Sequence, residues 1–255
     1  MLFDTHSHYD DDRFNQDRYE AITKVHENGV SYIINAASNV ASAVESISLA
    51  EKFDFVYAAV GVHPHNVEYM NESTLATIAD FASKDKVVAI GEIGLDYFYD
   101  TSPREMQKYW FARQIHLAVE LGLPLIVHDR NAHEDSLNAI KSEKAKAVGG
   151  VFHCFSGSVE MAKILLKNNF YIGVGGSLTF KNAKTAIEVV KYLPLDRLLI
   201  ETDCPYLTPE PFRGKRNDSG YVKLVAEKVA EIKGVTFEAI AQITSDNAKR
   251  LFKIE

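Results

Sequence analysis

Short apolar runs alternate with longer amphipathic stretches along the whole chain. Runs rich in β-branched residues, bounded by turn formers, predict strands at Leu2–Thr5, Ser31–Ala36, Phe55–Val60, Val87–Glu92, Leu125–His128, Gly150–Phe152, Tyr171–Val174 and Leu198–Thr202. Between them apolar positions recur at helical spacing. Asp17–Asn28 stops before Gly29, Val40–Lys52 and Ser73–Ser83 follow, and Pro103–Leu121 stops at Gly122. Further helices fit Glu134–Lys144, Ser158–Lys167, Ala183–Tyr192 and Gly220–Ile232, and Phe237–Leu251 forms an additional terminal helix. Eight β-then-α repeats in about 250 residues predict an α/β protein of the (β/α)8 TIM-barrel class. A doubly wound open sheet usually needs fewer strands, and no Gly-rich phosphate fingerprint follows the first strand. No Pro/Gly/Ser-rich linker divides the chain, so one domain over residues 1–255 is expected.

Composition narrows the picture. With 255 residues, 46% of them hydrophobic, the chain can bury a large core without disulfide staples, and Cys154 and Cys204 form no framework. Residues 1–30 are studded with charges, which argues against a secretory signal, and no apolar run reaches membrane-spanning length. A cytoplasmic protein with no membrane partner is the expectation. The formal net charge of −7 argues against a broad nucleic-acid-binding surface. It leaves room for a phosphate-handling cleft, where local cations and metals can reverse the field.

Candidate chemistry gathers at the predicted strand ends. The first strand runs into His6-Ser7-His8, and alternate residues of an extended segment share a face. The third ends in Gly61-Val62-His63-Pro64-His65 and the fourth in Gly91-Glu92-Ile93-Gly94. His128-Asp129 closes the fifth, His153 follows the sixth, and Glu201-Thr202-Asp203 ends the eighth. In a barrel these C-terminal ends converge on one mouth. Any one histidine taken alone is more often a hydrogen-bonded structural residue than a ligand. Together, imidazoles and carboxylates at successive strand ends point to divalent cations, because buried carboxylates need a counter-charge.

Six separated fragments carry a resemblance: Phe3-Asp4-Thr5-His6-Ser7-His8, Gly61-Val62-His63-Pro64, Gly91-Glu92-Ile93-Gly94-Leu95-Asp96, His153-Cys154-Phe155-Ser156-Gly157, Glu201-Thr202-Asp203 and Arg213-Gly214-Lys215-Arg216-Asn217. In this order the chain resembles the TatD family of metal-dependent deoxyribonucleases, within the amidohydrolase-like TIM barrels. The resemblance implies two divalent ions (Zn, Mn, Mg, Co or Ni). His6, His8 and Asp203 are expected at one, His128 and His153 at the other, and Glu92 between them. It implies hydrolysis of DNA phosphodiester bonds by a metal-activated water, with Asp203 and Glu92 as the catalytic carboxylates. Action as a 3′–5′ exonuclease on single strands or 3′ ends is expected. His63 is assigned to the substrate. Two departures fall outside the ligands: Asn217-Asp218-Ser219-Gly220 stands where members often have Asn-Glu-Pro, and Asp129-Arg130 where Ser-Arg is common.

Other residues carry weaker readings. Arg213, Lys215 and Arg216 form a basic loop after the last strand, expected to grip phosphate rather than serve as a solvated surface run. Tyr97, Phe98 and Tyr99 can stack bases or pack as a lid, and packing is slightly favoured. Cys154 and Cys204 alternate away from the mouth and read as core fillers. Glu201 reads equally as a support for a ligand and as a barrel-interior residue. The runner-up function is an amidohydrolase acting on a small amide, ester or lactone. A non-catalytic binding protein is the third reading, disfavoured by the full ligand set.

Overall fold

A computed structural model describes residues 1–255. Eight parallel strands lie in sequence order, β1 Leu2–Ser7, β2 Val30–Ala36, β3 Val56–Val60, β4 Val87–Asp96, β5 Leu125–Arg130, β6 Gly150–Phe152, β7 Phe170–Val174 and β8 Leu198–Ile200. The ring closes where Ser7 bridges Cys204 and the Asp203 N–H donates to the His6 carbonyl at 2.9 Å. Helices α1 Arg18–Glu27, α2 Val40–Lys52, α3 Glu72–Ala82, α4 Arg104–Leu121, α5 His133–Ser142, α6 Val159–Lys167, α7 Lys184–Tyr192 and α8 Val222–Lys233 surround it. α9, Phe237–Phe252, follows. The (β/α)8 expectation holds, with strand and helix boundaries moved by a few residues.

Two apolar clusters hold the barrel together. A 57-residue cluster fills the space between strands and helices. A smaller one takes a residue from every strand, including Phe3, Ile34, Ile126, Tyr171 and Leu199, and is closed by Leu251 and Phe252 at the end of α9. These layers plug one end of the barrel and leave the other for polar groups.

Buried polar side chains then fix the loops at the open end, where no strand ladder remains to satisfy the backbone. Gln114 of α4 accepts from the Val62 N–H at 2.8 Å and donates back to its carbonyl, and Gln107 does the same for Asp96. Asp4 accepts from the Thr202 N–H and hydroxyl and from the Ser219 hydroxyl, tying β1 to the segments after β8. Gly94 sits at φ +147°, and a Cβ there would lie 1.9 Å from the His128 carbonyl oxygen. Only glycine lets β4 run that close to β5.

Candidate metal centre

Glu92 is the hub. β4 carries one more residue than β5 between the pairs Ile90–Leu125 and Ile93–Val127, a bulge that re-aims the strand at Glu92. β1 has the same irregularity between Asp4 and Ser7. The Glu92 carboxylate is almost wholly buried, and five imidazoles face it. Its Oε1 lies 2.8 Å from His128 Nδ1, 2.8 Å from His153 Nε2 and 3.5 Å from His63 Nε2. Its Oε2 lies 3.4 Å from His6 Nε2 and 3.5 Å from His8 Nε2. Asp203 Oδ1 stands 3.3 Å from His8 Nε2 and 3.7 Å from His6 Nε2. The Asp203 backbone is left-handed at φ 56°, a conformation uncommon outside glycine and least costly for Asp and Asn. The group floors an open cavity of about 1010 Å³.

Hydrogen bonds on the far side of each ring set which nitrogen has a free lone pair. His8 Nδ1 donates to the Ala36 carbonyl at 2.8 Å, so Nε2, facing Asp203, is the nitrogen that gives up its proton to take a metal. His128 Nε2 donates to Asp96 Oδ2 at 3.2 Å, so Nδ1, 2.8 Å from Glu92 Oε1, is the nitrogen that gives up its proton to take a metal. His63 is the reverse. Its Nδ1 accepts from the His65 N–H at 3.2 Å, so the neutral ring carries its proton on Nε2 and offers a donor to the cavity. Burial holds His63 well below the ordinary imidazole value, which keeps it neutral.

The remaining charges place protons on imidazoles around an ionised Glu92. Burial alone would drive His8 down, but the Asp203 hydrogen bond and the Glu92 charge outweigh it and hold His8 at about 9. Burial likewise opposes a charged His153, yet Glu92 and Glu201 raise it well above its ordinary value. Burial would raise Glu92, and the surrounding imidazoles, His153 foremost, hold it well below the carboxylate range. Three ligand sets have their donor atoms within 4.8 Å of one another: His6–His8–Asp203, His6–Glu92–His153 and His63–Glu92–His128. Mixed imidazole and carboxylate donors with two lone pairs pre-aimed fit a divalent transition metal.

The structure thus brings His6, His8, Glu92, His128, His153, Asp203 and His63 together. It does not bring Arg213, Lys215 or Arg216 to this cavity. The loop after β8 folds back on the start of α1, where Arg216 pairs with Asp17 at 2.6 Å, donates to the Arg13 carbonyl and covers Phe14. Arg213 lies over Phe180 and Lys215 over Phe212. Glu201 is buried behind His153, with Oε1 3.7 Å from its Nδ1 and accepting from the Cys154 N–H. Neither cysteine lines the cavity, and burial pushes both thiols well up, so neither is a ready nucleophile.

The aromatic run divides. Tyr97 packs, donating its hydroxyl to Asp135 at 2.7 Å, whereas Phe98 and Tyr99 stand 55% and 56% exposed. Sequence reasoning passed over His65, Asp96 and Arg130. Asp96 Oδ2 also accepts from His65 Nε2 at 2.9 Å, so one buried carboxylate orients two rings. The signal was present, since Asp96 lies in the same fragment as Glu92 and an extended β4 carries it to the mouth.

Comparison with known proteins settles the family. The profile described as "TatD related DNase" matches residues 3–253. The chain belongs to the TatD family. A Bacillus subtilis relative, "Uncharacterized metal-dependent hydrolase YabD", is 51% identical over 254 residues, covering all of both chains. The "3'-5' ssDNA/RNA exonuclease TatD" of Erwinia tasmaniensis is 33% identical, over 99% of this chain and 100% of the other. The crystal structure of the TatD homologue YJJV from Escherichia coli superposes with a TM-score of 0.93 at 32% identity, covering 100% of this chain and 98% of that one. As a TatD-family member the chain is a metal-dependent hydrolase. No helix is long and apolar enough to cross a membrane.

Proposed function

We propose that this TatD-family hydrolase cleaves phosphodiester bonds of nucleic acid, single-stranded DNA in particular, from the 3′ end. The observation that carries the reading is Glu92, one buried carboxylate faced by five imidazoles at the floor of an open cavity. The exonuclease name of the Erwinia relative supports the substrate class.

In this reading His6, His8 and Asp203 would hold one divalent ion and His128 and His153 a second, with Glu92 as a carboxylate donor available to either. Such ions, when bound, polarise a phosphoryl oxygen and acidify water. The protein's own groups do the rest. Asp203 faces the cavity with 15% of its side chain exposed. Burial would raise it, but the His8 hydrogen bond holds it below its ordinary value, so it is an ionised acceptor for the attacking water's proton. His63 donates its Nε2–H to a non-bridging phosphoryl oxygen. Glu92, only 4% exposed, holds the rings in place from the cavity floor.

The test is a single-stranded oligonucleotide labelled at its 5′ end, incubated with Mn²⁺ or Mg²⁺. Shortening from the 3′ end that a chelator abolishes supports the reading. The small-substrate amidohydrolase stays as the second reading because Asp10, Asp11 and Asp12 put negative charge on the cavity wall. Turnover of a lactone or dipeptide, with no DNA cleavage under any divalent metal, decides for it.

A further inference from the structure

The cavity has two unlike lips. On the β1–β2 side the wall carries Asp10, Asp11, Asp12 and Glu45. Its cations are already engaged: Arg18 pairs with Glu45 at 2.7 Å and donates to the Tyr9 and Asp10 carbonyls, and Arg13 pairs with Asp11 at 2.9 Å. A second phosphate there meets four carboxylates, and the only cations beside them are already paired with two of the four.

The β4–β5 side is the opposite. Arg130 lines the cavity and makes no ion pair. Its guanidinium sits 4.1 Å from the centroid of Phe98 and 4.8 Å from that of Tyr99. The two rings meet edge to face at 5.0 Å, and both are more than half exposed. Their position is held from below, because Asp96 Oδ1 accepts from both the Phe98 and Tyr99 N–H groups at 2.9 Å. A free cation between two exposed, anchored aromatics, at the edge of a phosphate-sized site, has the parts of a single-strand platform.

Resting on the nuclease reading for what is cut, we propose that single-stranded nucleic acid lies across the β4–β5 lip alone. A base stacks on Phe98 or Tyr99, Arg130 pairs with a backbone phosphate, and the acidic lip turns the strand away. The strand then has a docking surface on one side of the scissile bond only, so the enzyme works from an end and spares closed strands.

Two measurements test this. A single-stranded oligonucleotide carrying 5-iodo-2′-deoxyuridine is photo-crosslinked to the protein with chelator present, and the adduct is mapped. The expected site is the segment containing residues 97–99; an adduct in residues 9–18, on the acidic lip, overturns the proposal. This readout needs no turnover. Crosslinking at residues 97–99 without hydrolysis keeps the lip and removes the nuclease reading, whereas hydrolysis with the adduct elsewhere does the reverse.

The second measurement follows kcat/KM with Mn²⁺ against salt. Arg130→Gln is expected to lower the salt slope for the oligonucleotide by about 0.7, the loss of one single-strand phosphate contact. Phe98→Ala is expected to lower the oligonucleotide-to-bis(p-nitrophenyl) phosphate ratio of kcat/KM by roughly 10-fold, the order of one stacking contact. Unchanged slope and ratio, or cleavage of a circular single strand as fast as a linear one, overturn the proposal.

Discussion

Asp96→Asn separates the orientation of His128 from the integrity of the barrel. In the wild type Oδ1 accepts the Phe98 and Tyr99 N–H groups, while Oδ2 accepts from His128 Nε2 at 3.2 Å and His65 Nε2 at 2.9 Å. An asparagine carbonyl can keep the two backbone bonds, so the turn stays formed. Its NH₂ then faces two ring N–H donors. His128 escapes the clash by moving its proton to Nδ1, which points at Glu92 Oε1 from 2.8 Å. That shift removes the lone pair the metal needs. A hydrogen bond to a charged group contributes about 1.5–3 kcal/mol, or roughly 10–150-fold. Changes behind a metal-bound histidine typically weaken affinity by about 10–100-fold. Both routes give the same range. The assay is competition of metal-stripped protein with a chromogenic chelator for Zn²⁺ or Mn²⁺, with near-ultraviolet circular dichroism as the fold control. Folded Asp96→Asn protein that binds metal as tightly as wild type refutes the reasoning.

Other outcomes follow from the same geometry. Glu92→Gln is expected to lower kcat by more than about 10³-fold while the circular dichroism spectrum is kept, since the hub loses its charge and not its shape; near-wild-type turnover contradicts this. In metal-stripped protein His8 is held at about 9 against 6.5 unfolded, so its contribution is full below 6.5 and is lost as pH climbs through 9. The thermal midpoint of stripped protein should fall across that window and recover on adding metal, which displaces the proton; a flat or rising midpoint counts against it. Arg216→Ala should leave kcat/KM for DNA within about 2-fold and cost less than about 1 kcal/mol, the size of a surface ion pair. A 10-fold loss of DNA cleavage restores the basic loop to the substrate path.

The repeating strand–helix pattern made the architecture legible, because a strand buried on both faces and a helix with one apolar stripe leave different periods. The clustering of the candidate ligands was legible for the same reason: polar groups in a parallel barrel gather at the C-terminal strand ends, so His6, His128 and Asp203 stood out by place. What stayed hidden depends on long-range partners. The basic loop was read for its charge, but the position of Arg216 is decided by Asp17, 199 residues away. The turn of Phe98 and Tyr99 out to solvent is set by Asp96, and the role of Asp96 shows only once the β4 bulge and the Gly94 approach to β5 are known. His63 and His65 differ by which ring nitrogen is engaged, a distinction no spacing rule carries.

The most direct test is anomalous diffraction from crystals of the full chain grown with Mn²⁺. The account predicts density peaks within ~2.2 Å of His6, His8, Glu92 and Asp203 donors and, at a second position, of Glu92, His128 and His153. A mouth with no anomalous peak at saturating metal, its imidazoles still packed on Glu92 alone, contradicts it.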